Sequence, residues 1–103
     1  MSWNYRAVRR ALHDGVVYAM CEVYYAKDDS VQAWSEEAYF VAQDMNDLVV
    51  MIDRLEADFK RDGTIAEWAD TFTDSEYLET LRLMRHATEK PAIDEEKQME
   101  ALG

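Results

Sequence analysis

The chain has little of what recognisable chemistry is built from: one cysteine, one proline, three glycines and two histidines in 103 residues. A lone Cys21 excludes an internal disulfide, and its place in an apolar run predicts a buried thiol that packs as a small hydrophobe. Gly15, Gly63 and Gly103 are too scattered to build a phosphate-cradling loop, which excludes the usual nucleotide-binding patterns. His13, His86 and Cys21 stand at no metal-ligand spacing from one another. The acidic pairs Asp28-Asp29, Glu36-Glu37 and Glu95-Glu96 fall in turns or near ends, where solvation accounts for them better than acid–base chemistry does. Asp28-Asp29-Ser30 lacks the alternating oxygen ligands and closing Glu of a calcium loop. No catalytic, cofactor-binding or metal-ligating residue is therefore expected, and the chain is not expected to be an enzyme.

Long apolar runs are missing too. None approaches the roughly 18 residues that cross a bilayer, and Met1-Ser2-Trp3-Asn4-Tyr5-Arg6 has no signal-peptide core. The expectation is a cytoplasmic protein with no membrane partner.

Positive charge is scarce and unevenly placed. Against a formal net charge of -11, residues 1–27 carry a net of +2 through Arg6, Arg9, Arg10 and Lys27. Residues 28–79 hold fifteen Asp and Glu against Arg54, Lys60 and Arg61, a net of -12. Such a field repels phosphate backbones, so direct nucleic-acid binding is not expected, whereas a basic protein would be drawn in. Acidity that serves only solubility is the plainer account. With 49% apolar and 12% aromatic residues the chain is too hydrophobic for disorder, and its length suits one small domain.

The first forty residues have strand character. Trp3, Tyr5 and Ala7 alternate with Asn4, Arg6 and Val8, and His13-Asp14-Gly15 supplies turn chemistry. Residues 16–25 are apolar on both sides and predict a central strand. Lys27-Asp28-Asp29-Ser30 makes the next turn, before a third strand over 31–40 with Ser35-Glu36-Glu37 as a point of interruption. Beyond Val41 the period changes to about 3.6: Met45, Leu48, Val49, Ile52, Leu55 and Phe59 form one helical stripe. Asp44 suits the N-cap and Gly63 the C-cap of a helix over 45–61. Thr64-x-x-Glu67 predicts a short helix, and Thr73-x-x-Glu76 a longer one over 74–89 that stops before Pro91. The expected fold is α+β, with a three-stranded antiparallel meander of order 1-2-3 followed by two or three helices on one face. Residues 1–90 would form the single domain, and 91–103 a polar tail that frays or makes a short helix. The expected core is Val17, Ala19, Cys21, Val23, Leu48, Ile52, Leu55, Phe59, Trp68, Leu78 and Leu81.

Trp3-Asn4-Tyr5-Arg6, Tyr18-Ala19, Glu22-Val23-Tyr24-Tyr25, Trp34 and Lys90-Pro91 resemble the pattern of a family of small uncharacterised acidic bacterial proteins with a Trp-Asn-Tyr-Arg start. The resemblance covers residues 3–36 well and the rest of the chain loosely, and implies a fold but no activity. The order of three antiparallel strands running into a helix is similar in topology to HicB-type antitoxins, although the Pro-Gly-Cys-like segment after the third strand is missing here.

Two surfaces are candidates for binding. Asp44, Asp47, Asp53, Glu56, Asp58, Asp62, Glu67 and Asp70 would line a negative face along the helices, spaced so as to imitate a phosphate backbone. Tyr5, Tyr18, Tyr24 and Trp34 would stand on an open sheet face and serve a protein interface, with a homodimer as one form of it. The function expected first is a non-enzymatic inhibitor or regulator of a basic, nucleic-acid-handling partner, for example a phage-encoded inhibitor of a bacterial defence complex. The alternatives are an antitoxin that neutralises a small basic toxin and, third, a small hydrolase or metal-dependent enzyme.

Overall fold

The computed structural model describes residues 2–62 and 73–102, with only the backbone of Asp62. The short helix expected from Thr64, the Gly63 cap and the core position of Trp68 lie outside these residues. Strand β1 (Ser2–Leu12) and strand β2 (Gly15–Tyr25) form a long antiparallel hairpin from Ser2↔Tyr25 to Leu12↔Gly15, turning at His13-Asp14. Alternating apolar and β-branched residues favour this pleated pairing, and Gly15 takes a positive φ of 156° at the turn.

The third strand is interrupted at Ser35. Strand β3 (Val31–Trp34) and strand β4 (Phe40–Ala42) both pair antiparallel with β2, the first at its carboxy-terminal end and the second along its middle. Between them Ser35 folds inward: its Oγ accepts from the Glu22 backbone N–H at 3.1 Å and donates to the Glu37 carbonyl at 3.0 Å. These local bonds compete with continued strand pairing and break the ladder. Before β3 the chain turns at Asp28, whose Oδ1 accepts from the Ser30 N–H at 3.1 Å, with Asp29 in the left-handed region at φ 66°.

Helix α1 (Met45–Asp62) starts at Asp44, whose Oδ1 accepts from the Asp47 N–H at 2.8 Å. Helix α2 (Asp74–Ala87) starts at Thr73, which accepts from the Glu76 N–H at 3.3 Å. The chain then adds strand β5 (Ile93–Asp94), parallel to β1 through Val8↔Ile93 and Arg9↔Asp94, and helix α3 (Glu95–Leu102). The fold is α+β, but the sheet is mixed rather than a three-stranded meander. Its order is β3-β2-β1-β5, with β4 also on β2.

Helices α1 and α2 cover one face of the hairpin, and the other face is buried as well, by chain outside the helices. On one face Tyr5 and Met20 pack against Ile52, Met84 and Ala87, while Ala7 packs with Leu48 and Ala42. On the reverse face Val8, Ala19, Cys21 and Val23 pack with Ile93, under Trp34 and Ala38. Of the expected core, Ala19, Cys21 and Val23 thus belong to this second layer, whereas Leu48, Ile52, Phe59 and Leu81 belong to the helical side. Val17, Leu55 and Leu78 are half-buried. Tyr5, Ala7 and Met20 meet the helices, because the pleat sends alternate positions to opposite faces.

Candidate partner-binding site

The expected carboxylate face along the helices is a lattice of ion pairs. Arg85 reaches from α2 to Asp53 at 2.7 Å and also pairs with Glu56; Lys60 meets Glu56 at 2.9 Å, and Arg61 meets Asp58 at 3.2 Å. Arg82 holds Glu79 at 2.7 Å. The hydrogen bond from Lys60, with help from the nearby Arg85, holds the Glu56 carboxyl below the usual carboxylate range against its partial desolvation. Asp44 is engaged as a cap, and Asp47 is exposed without an ion pair among the described residues. Glu67, Asp70 and the Asp62 side chain lie outside the described residues. Local pairing at i,i+3, at i,i+4 and between helices offsets the charge of Asp53, Glu56 and Asp58 on this face.

The aromatic set also divides. Tyr5 is only 7% exposed, with its ring edge-on to Tyr39 at 5.5 Å, and burial pushes its phenol well above the usual range. Register places Tyr18 and Tyr24 on the same face as Tyr5, toward α1 and α2, whereas Trp34 opposite Val23 lies on the reverse face. The four rings therefore share no open face, because each face carries its own cover.

The basic amino-terminal segment is not a basic surface. Arg6 donates to the Tyr25 hydroxyl at 3.3 Å and the Pro91 carbonyl at 2.8 Å. Arg9 pairs with Asp94 at 3.4 Å. Arg10 donates to the carbonyls of Ser35 at 2.9 Å and Glu36 at 3.0 Å, and its Nε lies 3.6 Å from Glu95. The strand arginines are directed at the chain's own carbonyls and carboxylates.

Two carboxylates without an ion pair among the described residues lie where the third strand breaks. A recess of about 300 Å³ is lined by Glu22, Ser35, Glu37, Ala38 and Tyr39. Glu22 stands on the β2 face shared with Tyr5 and accepts a hydrogen bond from the Tyr24 hydroxyl at 2.9 Å, which raises the Tyr24 phenol. Neither Glu22 nor Glu37 has an ion pair among the described residues, and Glu37 is exposed. Two carboxylates beside a phenol ring make a receptor for an ammonium or guanidinium group, by charge-assisted hydrogen bonding and by contact with the ring face. The sequence holds the signal, a charged residue inside the apolar run Met20 to Val23 and an acidic pair after Ser35. Only the register that sets Ser35 beside Glu22 brings the two together.

Among the described residues no group of three or more His, Cys, Asp or Glu is arranged to hold a metal ion. No helix of the described residues is long and apolar enough to cross a membrane. Comparisons with protein-family models, with curated proteins and with solved structures each find no match.

Proposed function

We propose that this chain is a non-enzymatic binding protein that engages a basic protein partner through the recess at Glu22, Glu37 and Tyr39, and that it inhibits or regulates that partner by occupying its cationic surface. The observation that carries the reading is the contrast between two sets of carboxylates. Asp53, Glu56 and Asp58 on α1 are paired within the fold, whereas Glu22 and Glu37 of the recess have no cation among the described residues. A net charge of -11, with the strand arginines turned onto the chain itself, adds a long-range field that speeds encounter with a cationic partner. Proteins that handle nucleic acids display such cationic surfaces, which makes them the partner class that fits best.

Capture from a lysate of the source cells tests this with two charge-matched double variants, Glu22→Gln/Glu37→Gln and Asp53→Asn/Asp58→Asn. The expected outcome is a basic protein retained by the wild type and by the α1 variant, lost by the recess variant, and released by about 0.5 M salt, where the Debye length is only roughly 4 Å. Equal retention by both variants would overturn the assignment of the recess.

A further inference from the structure

Three segments far apart in the sequence close over the reverse core: β1 at Arg10, the segment 34–38, and the chain from Ile93 to Glu95. Glu95 joins them. Its Oε1 accepts from the Trp34 indole N–H at 3.3 Å, and its Oε2 faces Arg10 Nε at 3.6 Å. Arg10 in turn donates to the Cys21 Sγ at 3.4 Å and to the Ser35 carbonyl at 2.9 Å. Asp94 adds the pair with Arg9. Beyond Glu95 the attachment is thin. No residue of α3 is buried, and Met99 and Leu102 are 59% and 50% exposed. The carboxy-terminal segment is thus held by the Ile93 side chain, a two-residue strand and two adjacent carboxylates.

We propose that residues 93–102 form a latch that opens as one unit while the hairpin and α1 stay folded, with Glu95 as its catch, and that opening uncovers the Trp34 side of the reverse core, including the Cys21 thiol. Segments with few buried apolar contacts are the ones that open below the global unfolding free energy. Cys21 is fully buried in the closed state, and burial pushes its thiol up against the opposing influence of Arg10. The thiol is therefore a reporter that reacts only when its cover lifts.

Alkylation of Cys21 in the full chain by a small iodoacetamide-type reagent, at several sub-denaturing urea concentrations, reads the opening. Glu95→Gln keeps an oxygen for Trp34 but loses the charge opposite Arg10, and Glu95→Ala loses both. The expected rates rise severalfold in Glu95→Gln and about tenfold or more in Glu95→Ala, as loss of a hydrogen bond to a charged group implies. Their urea dependence should stay much shallower than that of global unfolding, because little surface is exposed. Amide exchange supplies a second reading: protons of residues 94–102 should exchange together, faster than those of β1 and β2, and accelerate by the same factor as alkylation. A urea dependence equal to that of global unfolding, or an alkylation rate unchanged in Glu95→Ala, would overturn the proposal.

Discussion

Arg10 and Glu95 face each other from opposite ends of the chain, 3.6 Å apart, with side chains only 17% and 25% exposed. This contact explains where the positive charge of the amino-terminal segment goes. Arg6, Arg9 and Arg10 sit on an exposed-looking strand in the sequence. In the fold they clamp Pro91, Asp94 and Glu95.

Alkaline pH should destabilise the domain. Burial raises the ionisation of Tyr5, Cys21 and Tyr77 in the folded state above ordinary values of about 8.5 for a thiol and 10 for a phenol. The unfolded chain then releases these protons first, so their contribution is complete below the ordinary values and is lost as the pH climbs through the folded ones. Urea unfolding between pH 7 and 11 should show a plateau and then a fall, at up to about 1.4 kcal/mol per pH unit for each proton involved. Tyr5→Phe, which also loses its hydrogen bond with Tyr39 at a cost of about 1 kcal/mol, should flatten the fall near pH 11; an unchanged slope would remove Tyr5 from the account.

Acid should act through Glu56. Its folded-state ionisation lies below the ordinary value, first through Lys60 and then through Arg85. The stability it adds is present above about pH 4.3 and is lost as the pH falls through its depressed folded value. Glu56→Gln should cost roughly 0.5–1 kcal/mol at pH 7, in keeping with a largely solvent-screened pair, and should soften the acid decline. Denaturation curves at pH 7, 4 and 3 measure both.

The two-sided core makes a mutational claim. Ile52→Ala, on the helical side, should cost about 2–5 kcal/mol. Val8→Ala, on the reverse side, should cost about 2 kcal/mol through two lost methyl groups and the cavity they leave. A near-neutral Val8→Ala in equilibrium unfolding would mean that the reverse face is open to solvent.

The helical half of the fold is legible because its signals are local: the stripe Leu48, Ile52 and Phe59, the Asp44 cap and the Thr73 cap all act within a few residues. The sheet is less so. Strand β5 is two residues long and exists only because Ile93 meets Val8 and Asp94 meets Arg9, contacts that no local periodicity encodes. Tyr5 looks like an exposed strand aromatic until both faces of the hairpin prove to be covered. The recess follows the same rule. Glu22 and Glu37 are visible as charges, but the Ser35 turn that sets them in one recess depends on register, and the ion pairs from Arg85 to Asp53 and Glu56 depend on where α2 lies against α1.

Affinity for the captured basic partner, measured by titration calorimetry at about 0.05 M and 0.2 M salt, tests the central claim most directly. Wild type and Asp53→Asn/Asp58→Asn should bind within a few-fold of each other, with affinity falling steeply as salt rises. Glu22→Gln/Glu37→Gln should bind at least tenfold more weakly, with a shallower salt dependence. If the recess variant binds as tightly as wild type while the α1 variant fails, the uncompensated carboxylates at the strand break are not the docking site.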